Sequence, residues 1–204
     1  MRGKLVAIEG IDGSGKSSLV KYLEERLRRE GRTVKRVATR EEDKEQLFLA
    51  VIDKYKLDTT SAGYMFFFQM LHAVKVDNAL AALEENAVVV ADRWDLSFFA
   101  YHRNFGFFKN ETDELRENVS RLAFRDLNPD LGIYLDVSVP VALDRRLWRG
   151  DEINDTGQER EFYDTVTNTY RSLALSRGWK IIDADDSFEV VSQSAWAQIG
   201  EVFE

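Results

Sequence analysis

The chain has 204 residues, the size of one domain rather than several. Hydrophobic residues make up 44% and charged residues 31%, with only 12 Gly and 2 Pro, which excludes collagenous, low-complexity and disordered chains. The lack of cysteine removes disulfides, thiolate nucleophiles and Cys-ligated metal centres, His72 and His102 are too few for a multi-histidine site, and the net charge of -8 argues against a nucleic-acid partner held by phosphate neutralisation.

The run Leu5 to Ile8 is too short for a secretory h-region or a membrane span, so a cytoplasmic location and no membrane partner are expected. Lys4 to Glu9 reads as a buried strand that stops at the glycine-rich turn Gly10 to Gly15. Ser17 to Arg29 carries Leu19, Val20, Leu23 and Leu27 at helical spacing, with Gly31 as the stop. Thr33 to Ala38 returns as a strand, Glu41 to Lys56 as a helix, and Ser61 to Glu85 as a long helix apolar on more than one face. Val88 to Ala91, ending at Asp92-Arg93, and Leu131 to Asp136 read as inner parallel strands. Ser138 is expected to cap a helix that has Pro140 in its first turn and runs to about Arg149. A helix from Glu159 to Arg177, a strand from Lys180 to Asp183 and a helix from Ser187 to Val202 complete the chain. This alternation predicts an α/β fold with a five-stranded, mainly parallel sheet covered by helices on both faces, as one domain spanning 1–204. The polar segment 149–158 reads as a mobile lid.

Gly10-Ile11-Asp12-Gly13-Ser14-Gly15-Lys16-Ser17 fits G-x-x-x-x-G-K-[ST] between a predicted strand and a predicted helix, the setting that motif requires. Backbone N–H groups at the turn and at the helix start wrap a polyphosphate, Lys16 adds a point charge, and the Ser17 hydroxyl is suited to Mg²⁺. Gly10, Asp12, Gly13, Ser14, Gly15, Lys16, Ser17 and Ser18 are therefore the candidate ATP-binding residues.

From this point the chain resembles the thymidylate kinases, P-loop nucleoside monophosphate kinases. Glu9 to Ser18 is similar to the family's phosphate loop, Thr39-Arg40-Glu41 to the start of T-R-E-P-G, and Asp92-Arg93-Trp94 with Ser97, Ala100 and Tyr101 to D-R-Y-x-x-S-x-x-A-Y-Q. Asn128 to Asp136 and Ala142 to Arg145 are similar to P-D-L-x-I-Y-L-D and A-L-E-R, and Ile182-Asp183-Ala184 followed by a helix with Trp196 also fits. The resemblance implies the P-loop kinase fold, with ATP and Mg²⁺ as cofactors and a deoxynucleoside monophosphate, dTMP or a related nucleotide, as acceptor. By the same resemblance Arg40 and Arg93 hold the acceptor phosphate, Asp12 binds the sugar hydroxyl, and Tyr101 packs under the sugar. Asp92 joins Ser17 at Mg²⁺, and one of Arg145, Arg146 and Arg149 reaches the transferred phosphate. The plainer roles stay open: solvated arginines, a strand-end Asp that caps a turn, and a Tyr101 that belongs to the core.

The departures gather at the acceptor base. The family pattern has an aromatic followed four residues later by a thymine-reading arginine, and the match puts Phe67 and Leu71 at those places. Phe98 replaces a small or polar residue, His102 the glutamine of A-Y-Q, Glu42-Asp43 the Pro-Gly after T-R-E, and Asp151 to Asn154 stands for D-R-I-E without its arginine. Phe67, Leu71 and Phe98 are thus the expected base contacts, in a pocket with fewer donors, with His102 either a further contact that donates to the base or an exposed histidine. The apolar face around Phe66, Phe68 and Met70, in a family that dimerises through this helix, predicts a homodimer through 61–85, against the alternative of a wholly internal core. Two other functions are weighed: a kinase for a nucleoside or polynucleotide hydroxyl, and a nucleotide-binding protein without catalysis. The joint presence of Asp12, Lys16, Ser17, Arg40, Asp92 and Arg93 favours the monophosphate kinase.

Overall fold

The computed structural model describes residues 2–39, 45–153 and 157–203. Five parallel strands, β1 (Leu5–Glu9), β2 (Val34–Ala38), β3 (Val88–Asp92), β4 (Leu131–Asp136) and β5 (Lys180–Asp183), lie in the order β2-β3-β1-β4-β5. All five residues of β1 are buried, because helices cover both faces of the sheet. Their parity divides the core. Val6 and Ile8 pack with Leu19, Leu23 and Leu27 of α1 (Lys16–Arg29) and with Val166 and Tyr170 of α7 (Gly157–Ser176). Leu5 and Ala7 pack with Val76 and Leu83 of α3 (Ala62–Glu84) and with Ala123 and Phe124 of α5 (Asp113–Phe124). The predicted α/β architecture with helices on both faces is the observed one.

β1 is central, and the chain runs from it to β2 and β3 on one side before crossing to β4 and β5 on the other. The carboxyl end of β1 is therefore a topological switch point, where open α/β sheets bind ligands. Ser61 caps α3 by accepting the Tyr64 N–H at 3.1 Å. α2 covers Glu45–Tyr55; the predicted start of that helix at Glu41 lies outside the described residues. Ser138 does stand at the N-cap of α6 (Val139–Trp148), with Pro140 in the first turn, but its hydroxyl makes no capping bond. Its backbone N–H instead donates to Asp185 at 2.8 Å, joining α6 to the turn before α8 (Phe188–Phe203).

The sequence reading assigns no element between Trp94 and Pro129, where the structure has α4 (Asp95–His102), a 3₁₀ turn (Phe107–Asn110) and α5. α4 is short and apolar on several sides, so it shows no amphipathic period. α5 does carry a helical period, Leu115, Val119, Leu122 and Ala123 behind the Thr112 cap, although its buried stripe also includes Arg116 and Ser120. Arg116 is buried because its guanidinium donates to the Phe108 carbonyl and to Asp113 at 2.8 Å, fastening the 3₁₀ turn to α5.

Candidate active site

The phosphate loop leaves β1 at Gly10 and enters α1 at Lys16. Gly13 and Gly15 adopt φ of 87° and 91°, and a Cβ on Gly13 would meet the Ala142 carbonyl oxygen at 2.2 Å, so glycine is required there. The first N–H groups of α1 have no intrahelical acceptor, and the Ser14 hydroxyl is buried without a partner. Lys16 donates to the Ile11 carbonyl at 2.8 Å and lies 3.8 Å from Asp12. Burial and the charge of Arg93 push its pKa down from 10.5 to about 8 against the pull of Asp12, Asp92 and Glu9. A loop that gathers N–H donors, an unsatisfied hydroxyl and a desolvated ammonium fits a polyphosphate.

Ser17 donates to Asp92 at 3.3 Å, so the two residues expected at Mg²⁺ stand together, and Arg36 of β2 reaches the same Asp92 oxygen at 3.4 Å. No cluster of three metal-ligating carboxylate or histidine side chains exists among the described residues. A hydroxyl beside a single carboxylate suits Mg²⁺, which keeps waters and takes substrate phosphate oxygens as its other ligands.

Arg93 follows β3 in a left-handed conformation, φ 65°, that aims its side chain across the loop. It donates to the Gly10 carbonyl at 3.0 Å, to the Tyr170 hydroxyl at 3.1 Å and to Asp12 at 2.5 Å, and lies over the Tyr101 ring at 5.3 Å. Burial works to raise the Asp12 pKa, but Arg93, Lys16 and Arg146 outweigh it and hold the carboxyl at about 2. Beneath Arg93 lies Glu9, fully buried, which accepts the backbone N–H groups of Trp94 at 2.7 Å and Ser97 at 2.9 Å and the hydroxyls of Ser97 and Tyr170. Glu9 thus caps the start of α4 from the end of β1. Glu9 and Tyr170 are not among the site residues expected from the sequence; for Glu9 the available signal is a carboxylate that ends a wholly apolar strand.

A cavity of about 410 Å³ opens beside the loop, lined by Asp12, Lys16, Ser17, Asp92 and Arg93 at one end and by aromatic side chains at the other. From α4 it takes Phe98, Tyr101 and His102, as expected. From α3 it takes Tyr64, Phe68 and His72, not Phe67 and Leu71. This corrects the register by one residue, about 100° of helix rotation. Phe67 instead packs against Phe48 of α2, with ring centroids 5.4 Å apart. In the corrected register the aromatic is Phe68, and the position four residues on is a histidine. Burial holds His102 down at about 4 and His72 well below 6.5, so both imidazoles are neutral at neutral pH.

The three arginines of α6 and its end diverge. Arg145 donates to the carbonyls of Ala184 at 2.7 Å and Asp186 at 3.2 Å, away from the loop. Arg149 is exposed and pairs with Asp151 at 2.8 Å. Arg146 pairs with Glu159 at 2.7 Å and bonds the Tyr163 hydroxyl at 3.1 Å, and its charge reaches Asp12. Arg40 lies outside the described residues, as does the 154–156 part of the expected lid. A larger cavity, about 680 Å³, lies at the amino ends of β4 and β5, but its cations Arg121, Arg177 and Lys180 are each ion-paired.

A parallel sheet of this strand order, with a G-x-x-x-x-G-K-S loop at the carboxyl end of its central strand, defines a P-loop kinase fold. The sequence profile described as thymidylate kinase matches residues 8–195. The chain is 33% identical to a probable thymidylate kinase of Methanosarcina acetivorans, covering 98% of this chain and 96% of that one. It is 31% identical to a thymidylate kinase of Nitrosospira multiformis over the whole of both chains, and 29% identical to that of Colwellia psychrerythraea over 84% of this chain and 82% of the other. The chain belongs to the thymidylate kinase family.

Proposed function

We propose that the chain transfers the γ-phosphoryl group of ATP to the 5′-phosphate of thymidylate, giving ADP and the nucleoside diphosphate. The observation that carries this reading is that one cleft joins the Lys16 loop, the Ser17–Asp92 pair, the Arg93–Asp12 pair and an aromatic pocket. An acceptor phosphate oxygen attacks the γ-phosphorus and the bond to the β–γ bridging oxygen breaks, so the protein's work is to position two anions and neutralise their charge. Gly10 to Ser18 cradle the donor phosphates, with Lys16 charged against them. Arg93, freed from Asp12 by competition, and Arg40 hold the acceptor phosphate, while Asp12 and Tyr101 serve the sugar. Burial raises the Tyr101 hydroxyl pKa, so it stays protonated and offers a neutral edge. Ser17 and Asp92 would hold Mg²⁺, which supplies charge neutralisation between the two nucleotides when bound. Of the three arginines, Arg146 is assigned to the transferred group, because Arg145 turns to the carbonyls of Ala184 and Asp186, Arg149 is exposed, and the charge of Arg146 reaches Asp12.

No helix among the described residues is long and apolar enough to cross a membrane, and we place the protein in the cytoplasm. Phe66, Met70 and Val74 stand exposed at i, i+4 and i+8 on α3, and we assign this stripe to a homodimer contact; Phe68 faces the cleft instead. The test is ADP release with ATP and Mg²⁺ against nucleosides and nucleoside monophosphates. Activity with dTMP is expected, and activity with nucleosides alone would overturn the assignment.

A further inference from the structure

Lys75 behind the cleft, with Thr39 and His72 in its wall, forms a chain of polar contacts that phosphoryl transfer does not use. Lys75 is on α3 with 2% of its surface exposed, and its ammonium donates to the Thr39 hydroxyl at 2.9 Å and to the Arg93 carbonyl at 3.0 Å. It lies over the faces of Trp94 at 5.0 Å and Phe124 at 5.4 Å, and the charges of Glu9, Asp92 and Asp95 also act on it. The Thr39 oxygen stands 3.4 Å from Nδ1 of His72.

The donor inventory orders these contacts. An ammonium only donates, so one lone pair of the Thr39 hydroxyl is taken by Lys75. The hydroxyl keeps one proton, and among the described residues the acceptor within reach is His72 Nδ1. An imidazole that accepts at Nδ1 carries its proton at Nε2, because the bond made by one ring nitrogen fixes the other. The reverse arrangement would set two donors on one hydroxyl and leave its own proton unused. Burial and the nearby Lys75 charge keep His72 neutral, so the tautomer is what varies. The ring lines the same cavity as Phe68, Phe98 and His102.

We propose that Lys75 and Thr39 fix His72 as the Nε2–H tautomer, making it a donor to the acceptor base that favours a 4-oxo over a 4-amino pyrimidine. This rests on reading the cleft as the acceptor site. Lys75 and Thr39 are positioning residues, and only His72 touches the base. Because Lys75 also holds the carbonyl of Arg93, whose φ is 65°, it links base reading to the phosphate-binding arginine.

Two measurements test this. Imidazole ¹⁵N spectra of the whole chain, with only His72 and His102 to assign, should show His72 as the Nε2–H tautomer in the wild type. In Thr39→Val, which keeps the side-chain shape, that preference should be lost. The second measurement is the ratio of kcat/KM for dTMP to that for 5-methyl-dCMP, which differ at the base edge and not in the methyl group. The ratio should fall about tenfold in Thr39→Val and in Lys75→Met, the loss of one hydrogen bond. Lys75→Met should also raise the KM for the acceptor, through Arg93, more than that for ATP. A Nδ1–H tautomer in the wild type, or an unchanged ratio in folded, active variants, would overturn the relay. A wild type inactive on both nucleotides would refute the reading of the cleft, and the base assignment with it.

Discussion

Lys16→Met should stabilise the unliganded protein while abolishing catalysis. Burial and Arg93 lower the Lys16 pKa from 10.5 to about 8, and at about 1.4 kcal/mol per pH unit the charged form costs the free fold roughly 3 kcal/mol at neutral pH. A methionine keeps the stem but gives up the bond to the Ile11 carbonyl at 2.8 Å, a loss of about 1 kcal/mol. The net gain is roughly 2 kcal/mol, which for a chain of this size raises Tm by about 4–8 °C. The sign follows from linkage. A lysine whose folded pKa is depressed carries its full penalty below about 8 and loses it as pH rises to the unfolded value of 10.5. The advantage of Lys16→Met should therefore be largest at pH 7 and shrink between about pH 8 and 10.5. The same shift makes nucleotide binding take up a proton above about pH 8, where ATP affinity should decline in the wild type and not in the variant. Urea unfolding at several pH values, beside ATP titrations, reads both effects. A variant less stable than wild type at pH 7, or a stability difference indifferent to pH, would refute the electrostatic account of the loop.

Arg93→Ala should raise the KM for the acceptor far more than that for ATP and lower kcat by at least about a hundredfold, since it removes charge from the transition state; equal effects on both substrates would contradict its place. Arg146→Ala should lower kcat by a comparable factor, whereas Arg145→Ala, which frees the carbonyls of Ala184 and Asp186, should act mainly on the stability of the β5–α8 turn. A kcat loss confined to Arg145→Ala would reverse the two roles. Met70→Glu, in the middle of the exposed stripe of α3, should give monomers of 23.5 kDa in sedimentation where the wild type gives dimers, and a monomeric wild type would remove the proposed contact.

The elements with a clean period or a motif were legible in the sequence. β1 and β3 are apolar runs that end at Gly10 and at Asp92, and α1 shows its buried stripe and its stop, so the sheet and phosphate loop follow from local rules. α4 is not legible, because it is apolar on several sides. α5 is legible from its Thr112 cap and the spacing of Leu115, Val119, Leu122 and Ala123; what that period does not contain is the burial of Arg116 against the Phe108 carbonyl. The register of α3 is not legible in the sequence. With hydrophobic residues on every side, adjacent faces look alike, and only packing against α2, α4 and the sheet selects Tyr64, Phe68 and His72 for the cleft. Lys75 carries a signal that pattern reading passes over, a lysine in line with His72, Ala79 and Ala82 on the buried side of the helix. The divergence of Arg145 from Arg146 depends on the turn after β5, which neighbouring sequence does not contain.

The most direct test of the central claim is a ³¹P spectrum of ATP, dTMP and Mg²⁺ incubated with the protein, recorded beside the same mixture with Lys16→Ala. The account predicts that the ATP γ and dTMP monoester resonances decline together in the wild type, with ADP and dTDP appearing in equal amounts, and that the variant, still folded, forms neither. ATP hydrolysed without dTDP, or equal dTDP from the two proteins, would contradict it.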